Sequence, residues 1–560
     1  MNDKRLWEYL GLDETCTISA VEKAYQKAPK TEMSKLAFKI LSDKYYSQVY
    51  KTYQDLDLVE AAGFFVDQDD RSKQDIYNID LLTTPFGKIL DNLKNSDCKN
   101  PVVLLSTGGF APLHKGHFLM MDFAKKALEK KGYDVVGGYF SPSHDSYFHT
   151  KPYSNFDALE RVDMCQEMVK DSTWLMVDPW ESIYSKTYLN FTDVLNRLEL
   201  YLQKHVHKNI KVAYVFGADN ARFMYCFKQF GLGVCIERKG YEKYFNETKL
   251  ALNNDRNIFI KNKSVASAYS SRYIRQDKNF LNDFEKENEG KFVIRDESFY
   301  PFRNYLKKVD KLKLKYFADE CTKRLVKLIK KSFGEQIEIE LIDLESQLKK
   351  AVIDLKGKET ISLDTYYTGN YNLEASRLFD VSDYQHTNKR LNARLDGASL
   401  VDSVSKIKPG KYVLVDDDSA TGKTIQEILS ILPNSVDVDN IYLLSSIAKN
   451  DVFEIADFRD FLIGGKNGGL LVRLSNSKTA RAPYILPYVN MKTRVSIPTK
   501  LQKAVSLEIW KLNKWFYEQL DDQIILKDTD VGFQKLMKFV GFKDESSMVD
   551  ICKWHIKNLK

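Results

Sequence analysis

The chain has 560 residues, 43% of them hydrophobic, so it is long enough for several domains and apolar enough to bury real cores. Its net charge of +7, from 84 basic and 77 acidic residues, is small for this length and does not indicate nucleic-acid binding. The composition therefore excludes a disordered chain.

The seven cysteines are scattered and include no C-x-x-C pair. An odd number without paired spacing favours a reducing compartment and argues against structural zinc. The N-terminal residues lack the apolar core of a signal peptide, and no apolar run approaches the length that crosses a bilayer. We therefore expect a cytoplasmic protein with no membrane partner.

Residues 6–53 carry apolar side chains at helical spacing, which predicts a small helical module over residues 1–65. Its segments L-G-L-D and V-E-K-A-Y-Q-K resemble a J-domain, the module that stimulates a chaperone ATPase. The His-Pro-Asp tripeptide that this activity requires is missing, because K-A-P-K occupies residues 27–30. We interpret the module as a degenerate docking site for a protein partner; an active co-chaperone and an unrelated helical cap are the alternatives.

A predicted linker over residues 66–99 leads to an apolar run at 102–105, which predicts a strand. The strand is followed by S-T-G-G-F-A-P-L-H-K-G-H at residues 106–117 and by a helical pattern. Gly108 and Gly109 allow close backbone approach, and the N–H groups of a helix start can bind an anion. This order of elements predicts a cradle for phosphate.

His114 and His117 stand at the mouth of that cradle, where they can donate hydrogen bonds to phosphate oxygens during phosphoryl or nucleotidyl transfer. Two histidines that only cap a helix are the alternative. The pattern resembles the H-x-G-H signature of the nucleotidylyltransferases.

Further apolar runs at residues 135–140 and 212–216 alternate with helical segments. Strands that alternate with helices predict a parallel, doubly wound sheet with its ligand at the carboxyl ends of the strands. The segments S-P at 141–142 and G-A-D at 217–219 directly follow these two runs.

Several motifs occur in one order: S-P-S-H-D-S-Y at 141–147, S-T-W at 172–174, V-D-P-W-E-S at 177–182, G-A-D at 217–219 and S-S-R-Y-I-R at 270–275. Together with the H-x-G-H motif they resemble the nicotinamide/nicotinate mononucleotide adenylyltransferases, especially the eukaryotic type. The resemblance covers about residues 100–310 and implies a Rossmann-like domain. It also implies ATP and a pyridine mononucleotide as substrates, with Mg²⁺ held mainly by the substrate phosphates.

The resemblance also implies roles for single residues. The implied catalytic residues are His114, His117 and Arg275; the implied ATP-binding residues are Gly108, Gly109, Phe110, Gly217, Asp219, Ser270 and Ser271; and the implied mononucleotide-binding residues are Trp180 and Lys151. From the residues alone, Trp180 could instead be a core residue and Asp219 a helix N-cap.

This chain departs from the family pattern at three places. Phe148 and His149 replace lysines after the S-P-S-H-D-S-Y motif, and Arg272 replaces a threonine. The second aromatic residue after G-A-D is at best Phe227 or Phe230. These departures leave the identity of the mononucleotide open.

A second motif, Y-V-L-V-D-D-D-S-A-T-G-K-T, occupies residues 412–424. A strand, two carboxylates and a loop that opens a helix could hold ribose hydroxyls and a 5′-phosphate. The motif resembles the phosphoribosyl pyrophosphate (PRPP) motif of type I phosphoribosyltransferases. The resemblance implies PRPP binding by Asp416, Asp417, Ser419, Ala420, Thr421, Gly422, Lys423 and Thr424.

The residue before T-G-K-T is Ala420, whereas purine-type members carry an acidic residue there. A pyridine or pyrimidine base is therefore favoured over a 6-oxopurine. The motif is not a Walker A loop, because Asp417 occupies the position of its first glycine. A strand that ends in a solvated acidic turn is the alternative.

The sequence thus predicts a multidomain α/β protein: a Rossmann-like nucleotidylyltransferase domain at 100–310, a type I phosphoribosyltransferase domain at 311–500 and a helical cap at 501–560. The leading hypothesis is a bifunctional enzyme that forms a mononucleotide from PRPP and adenylylates it to NAD or deamido-NAD. The alternatives are a non-pyridine base and a PRPP domain that only senses its ligand. Each of these hypotheses is compatible with a homo-oligomer.

Overall fold

The computed structural model describes residues 5–42, 47, 50–51, 77–94, 98–150, 156–227, 231–252, 254–262, 291–296, 300–334, 338–381, 391–393, 399–419, 422–445, 454–457, 461–475, 478–491, 497, 499–521 and 523–560. These residues form helices packed against largely parallel sheets, as the predicted α/β class requires. Within these ranges, no helix combines the length and apolar character needed to cross a membrane.

The N-terminal module contains a 3-10 helix, Leu6–Leu10, followed by α1 (Ile18–Lys27) and α2 (Glu32–Leu41). Each α-helix is capped by a threonine hydroxyl at its N-terminus, from Thr17 and Thr31 respectively. The apolar faces are buried in a core that continues into the central domain. The predicted helices are present, and the resemblance to a J-domain stays a prediction.

Strands and helices alternate through the central domain. In chain order they are α3 (Gly87–Lys94), β1 (Pro101–Gly108), α4 (Lys115–Lys130), β2 (Asp134–Pro142), α5 (Asp145–Phe148), α6 (Ala158–Val169), β3 (Leu175–Val177), α7 (Phe191–His205), β4 (Lys211–Gly217), β5 (Leu232–Ile236), α8 (Glu242–Ala251) and β6 (Asn257–Ile260).

Strands β1 to β6 form one parallel sheet in the order β3-β2-β1-β4-β5-β6. The strand order reverses between β1 and β4, so a crevice opens there at the carboxyl ends of the strands. The Rossmann-like sheet predicted from the alternating apolar runs is confirmed.

Residues 77–94, most of the described part of the predicted linker, lie inside this domain. Thr83 and Thr84 are fully buried, and the Thr84 hydroxyl donates to Asp178 Oδ1 at 2.6 Å. The buried Arg197 guanidinium donates to both threonine hydroxyls and lies 3.5 Å from Asp178. A buried charge costs several kcal/mol unless it is paired, so these partners stabilise Arg197.

The C-terminal half contains a longer series of helices and strands. They are β7 (Lys291–Asp296), a 3-10 helix (Tyr300–Lys307), α9 (Lys311–Phe333), β8 (Glu338–Asp343), α10 (Leu344–Asp354), β9 (Thr360–Ser362), β10 (Tyr371–Asn372), β11 (Ala375–Asp380), β12 (Leu391–Ala393), α11 (Leu400–Ser405), β13 (Gly410–Asp416), α12 (Lys423–Ile431), β14 (Val436–Leu443), β15 (Glu454–Asp457), β16 (Leu470–Ser475), β17 (Lys478–Ala482), α13 (Gln502–Gln519), α14 (Val531–Val540) and α15 (Met548–Leu559). The sheets among them are β10-β9-β13-β14, β12-β11-β16-β17 and β15-β7-β8.

The sheet β10-β9-β13-β14 has cores of its own. Strands β9 and β13 and helix α12 pack around Ile361, Leu414 and Ile428 on one face, and α10 packs against Val413 and Val415 on the other; we call this sheet with α10, α11 and α12 the β13 unit. Helices α13–α15 and strands β16 and β17 instead share one core with the central sheet and the N-terminal module, which together form the main body. The predicted helical cap is therefore part of the core of the main body.

The segments that lead to and from the β13 unit meet at the main body. The Tyr305 hydroxyl donates to the Gly464 carbonyl at 3.0 Å, and the Lys466 N–H donates to the Pro301 carbonyl at 2.6 Å. Tyr305 is also 3.0 Å from the hydroxyl of Tyr517 on α13. These contacts hold the two ends of the intervening segment together.

A fully buried histidine on α15 makes the stability of this core depend on pH. His555 Nδ1 donates to the Ile551 carbonyl and Nε2 accepts from the Tyr488 hydroxyl, each at 2.7 Å, so the hydrogen bonds fit the neutral ring. Burial lowers the pKa of His555 to about 3. Because the unfolded chain takes up this proton near pH 6.5 and the folded chain does not, stability is lost as pH falls from 6.5 toward 3.

We expect the wild-type protein to lose about 2 kcal/mol more stability than His555→Gln between pH 7.5 and pH 5. Glutamine can keep both hydrogen bonds and does not titrate. Thermal and urea unfolding of the two proteins at both pH values would measure the difference. Equal losses in the two proteins would show that His555 does not cause the pH dependence.

Candidate active site

The glycine cradle lies at the carboxyl end of β1. The strand ends at Gly108, and a Cβ placed on Gly108 would lie 3.2 Å from the ring of Phe110. Phe110 adopts the left-handed conformation, with φ of 43°, which is rare for a residue with a side chain. Strained backbone of this kind is frequent at functional sites.

His114 and His117 lie together at the start of α4. Their rings stack with centroids 3.8 Å apart, and the His114 N–H donates to His117 Nδ1 at 3.2 Å. Because Nδ1 of His117 accepts, the proton of the neutral ring is on Nε2. His117 can therefore donate from Nε2 to a phosphate oxygen.

Burial keeps both imidazoles neutral at physiological pH. It lowers the pKa of His114 to about 4, with a smaller contribution from the nearby positive charge of Arg238. It also lowers the pKa of His117 well below its usual value, and His114 and Arg238 act in the same direction. The site thus presents hydrogen-bond donors without a fixed charge on the histidines.

Asp219 forms the other side of the crevice, directly after β4. Its Oδ2 is 2.7 Å from Nη1 of Arg238, which follows β5. A Cβ on Gly217 would lie 2.6 Å from Oδ1 of Asp219, so a side chain at this position would displace the Asp219 carboxylate. The sequence reasoning missed Arg238, because it did not identify β5, the strand that this residue follows.

Arg161 on α6 is a second residue that the sequence reasoning missed. Its side chain is fully buried, and it donates to the Gly109 carbonyl at 3.3 Å and to Asp145 at 2.7 Å. Its guanidinium carbon also lies 4.3 Å from the ring centroid of Phe148. Arg161 therefore joins the glycine cradle to the S-P-S-H-D-S-Y segment.

Trp180 lies after β3 and is only 2% exposed. The Arg197 guanidinium lies 4.9 Å from its ring, and the Tyr77 ring packs edge-on at 6.1 Å. Beside it, the buried Glu181 accepts from the His144 N–H at 3.2 Å, and burial raises the pKa of Glu181 to about 7. This burial is compatible with the core interpretation of Trp180, and its stacking role stays a prediction.

Four residues predicted for this site, Ser270, Ser271, Arg275 and Lys151, lie outside the described residues. The structure brings His114, His117, Phe110 and Gly108 together at β1. Arg238 pairs with Asp219, and its positive charge also lowers the pKa of both histidines.

The second motif lies in the β13 unit. Asp416 is the last residue of β13, and Gly422 caps α12 in the left-handed conformation, with φ of 68°. Burial raises the pKa of Asp416 well above its usual value, and the negative charges of Asp417 and Asp418 add to the shift. Ser419, Lys423 and Thr424 are described, whereas Ala420 and Thr421 are not.

A loop from the neighbouring strand lies at the same edge of this sheet. β9 runs parallel to β13 and pairs with its last residues, so residues 363–367 follow β9 beside the motif. The Asp364 carboxylate accepts from the N–H groups of Tyr366 and Tyr367, each at 2.6 Å. The sequence reasoning did not identify this loop, because its position depends on strand pairing.

Comparison with known proteins identifies the family of the central domain. The sequence model of the cytidylyltransferase-like family matches residues 105–277. A nicotinamide/nicotinic acid mononucleotide adenylyltransferase of Arabidopsis thaliana is 32% identical over 200 residues, which are 32% of this chain and 82% of that protein. The chain belongs to the family of nicotinamide/nicotinic acid mononucleotide adenylyltransferases.

Other members of this adenylyltransferase family show the same relationship. The Oryza sativa protein of that name is 29% identical over 215 residues, which are 35% of this chain and 84% of the rice protein. A zebrafish (Danio rerio) adenylyltransferase 2 is 44% identical over 98 residues, which are 17% of this chain and 31% of the fish protein. The predicted adenylyltransferase resemblance is confirmed, whereas the phosphoribosyltransferase and J-domain resemblances stay predictions.

Proposed function

We propose that the central domain transfers AMP from ATP to the phosphate of nicotinamide or nicotinate mononucleotide. A phosphate oxygen of the mononucleotide attacks the α-phosphorus of ATP, the bond from that phosphorus to the bridging oxygen breaks, and pyrophosphate leaves. The products are NAD or deamido-NAD and pyrophosphate. The observation that supports this proposal most directly is the neutral histidine pair at the glycine cradle.

The protein's share of the chemistry is positioning and charge stabilisation. His114 and His117 would donate to ATP phosphates, and Gly108, Gly109 and Phe110 would line the same cradle. Ser270, Ser271 and Arg275 would hold the β- and γ-phosphates. Gly217 and Asp219 would contact the adenosine ribose, with Arg238 orienting the Asp219 carboxylate.

The mononucleotide would occupy the side of the crevice near β3. Trp180 would stack on the pyridine ring and Lys151 would bind the phosphate. Mg²⁺ would be held mainly by oxygens of the ATP phosphates and would neutralise part of their charge. Neutral imidazole donors suit the phosphate oxygens that remain.

The direct test is to incubate the full chain with Mg-ATP and nicotinamide mononucleotide, and separately with nicotinate mononucleotide, and to identify the products by mass. NAD or deamido-NAD with pyrophosphate is the expected result. Unchanged substrates would contradict the pyridine assignment and favour another 5′-mononucleotide.

We further propose that the β13 unit binds PRPP and forms the mononucleotide that the central domain consumes. Asp416 and Asp417 would bind the ribose hydroxyls, and Ser419, Ala420, Thr421, Gly422, Lys423 and Thr424 would bind the 5′-phosphate. Two observations support this proposal: the carboxylates end a strand beside α12, and that helix begins with a glycine. A non-pyridine base, and PRPP sensing without catalysis, are the alternatives.

Asp416→Asn combined with Asp417→Asn is expected to weaken PRPP binding at least about tenfold, because each substitution replaces a carboxyl oxygen that accepts a hydroxyl hydrogen bond with an amide NH₂ group. Adenylyl transfer should be unchanged. PRPP titration and the product assay would measure the two effects. Asp437→Asn with Asp439→Asn, on the exposed edge of the same unit, is the matched control. Unchanged PRPP binding in the first variant would exclude this site.

A further inference from the structure

A cavity of about 550 Å³ lies where the central domain meets the C-terminal helices. Six lysines and Ile556 line it: Lys186 from the loop after β3, Lys511 and Lys514 from α13, and Lys553, Lys557 and Lys560 from α15 and the residue after it. We call it the lysine cavity. None of its lining residues belongs to the predicted ATP, mononucleotide or PRPP sites.

The positive charge of the lysine cavity is only partly neutralised. Three of its lysines pair with carboxylates on their own helices: Lys511 with Glu508, Lys514 with Glu518 and Lys553 with Asp550. These are partly exposed pairs within single helices, which contribute less than about 1 kcal/mol each. Their lysines can therefore turn toward a stronger anion at little cost.

The remaining three lysines come from two separate parts of the fold. Lys186, Lys557 and Lys560 are exposed, and within the described ranges no carboxylate forms an ion pair with them. An anion that binds between these exposed lysines would reduce the repulsion among their like charges. The convergence of elements distant in the sequence indicates a site rather than the solvated face of one helix.

Shape and chemistry together define the ligand class. The volume of this open depression lies within the range of small-molecule pockets, and three elements of the fold line it. Ammonium groups act as flexible point charges, which suits several phosphate groups better than one planar carboxylate. A ligand with several phosphate groups can pair with more of these ammonium groups than a single phosphate can.

We propose that the lysine cavity binds an anion with two or more phosphate groups, such as a nucleoside polyphosphate or an inorganic polyphosphate. Binding would restrain the loop that carries Lys186 against α13. The same helix already contacts the segment before this loop, because Lys503 donates to the Ile183 carbonyl at 2.8 Å. The proposal does not depend on the reaction assigned to the central domain.

Isothermal titration of the full chain with inorganic tripolyphosphate tests the proposal. The variant Lys186→Ala/Lys557→Ala/Lys560→Ala should bind one tripolyphosphate fewer than the wild type, or bind it at least about tenfold more weakly. The matched control is Lys527→Ala/Lys535→Ala/Lys543→Ala, which removes three exposed lysines outside the cavity. It should bind as the wild type does. Binding should also weaken steeply between 50 and 300 mM salt.

Further titrations distinguish a nucleotide from an inorganic polyphosphate. Because ATP is also expected to bind the central site, only the ATP binding that the cavity variant loses reports on the lysine cavity. A lysine-dependent affinity for ATP equal to that for tripolyphosphate would indicate that phosphate groups alone are recognised, and a higher one would indicate a nucleotide; both support the proposal. Identical isotherms for the wild type and the cavity variant would overturn it. So would lysine-dependent binding of single-stranded RNA without binding of tripolyphosphate. Lys557→Glu alone provides a second variant in case the triple substitution perturbs folding.

Discussion

His117→Ala is expected to lower the rate of adenylyl transfer by about 10²–10³-fold, the usual loss when a preorganised donor to developing phosphate charge is removed. His117 presents Nε2–H because its Nδ1 accepts from the His114 N–H. The substitution removes that donor and also the ring stacked on His114. Initial rates with Mg-ATP and the active mononucleotide would measure the loss.

His207→Ala is the matched control, because His207 lies beyond the end of α7 and outside the predicted site. It should retain wild-type activity. His117→Ala should also retain PRPP binding by the β13 unit, since that unit has its own core. Full adenylyl transfer by a folded His117→Ala protein would contradict the role assigned to the histidine pair.

Asp178→Ala is expected to destabilise the main body by about 3–5 kcal/mol, the usual cost of leaving a buried charge without its partner. Asp178 Oδ1 accepts from the Thr84 hydroxyl at 2.6 Å and from the Trp180 N–H at 3.2 Å, and it lies 3.5 Å from Arg197. The substitution leaves the fully buried Arg197 with neutral partners only. Urea unfolding, followed by tryptophan fluorescence, would measure the change.

A double-mutant cycle separates the charge effect from the loss of packing. Asp178→Leu with Arg197→Met should be less destabilising than the sum of the two single substitutions, because the double variant buries no charge. The same cycle on the exposed pair Lys349 and Glu345 should show a coupling below about 1 kcal/mol. Additive effects at Asp178 and Arg197 would contradict the proposed pairing.

Local patterns were sufficient to predict the central sheet. The apolar runs before Gly108 and Gly217 became β1 and β4, because buried parallel strands are nearly continuous hydrophobic segments. The position of the histidine pair also followed from sequence, since a strand, a glycine turn and a helix start leave little freedom at that point. The hydrogen bond from the His114 N–H to His117 Nδ1 was not predicted, because it depends on the backbone conformation at the start of α4.

Features that depend on contacts between distant parts of the chain could not be predicted from the sequence. Arg161 and Arg197 each lie on a helix whose pattern gives no sign that a guanidinium is buried there. Their partners, including the Gly109 carbonyl and Thr84, are far away in the sequence. The mixed, charged composition of residues 66–99 suggested a linker. Thr83 and Thr84 within it are nevertheless buried, where their hydroxyls accept hydrogen bonds from Arg197. Strand pairing likewise placed the loop after β9 at the same edge of the sheet as the end of β13.

The hydrogen bonds from Tyr305 to Gly464 and from Lys466 to Pro301 hold together the two ends of the segment that contains the β13 unit. The middle of the same segment also returns to the main body, because β11 pairs with β16 and Phe379 lies in the main core. The β13 unit is therefore tied to the main body at both ends of this segment and at β11, which would restrict its rotation relative to the central domain.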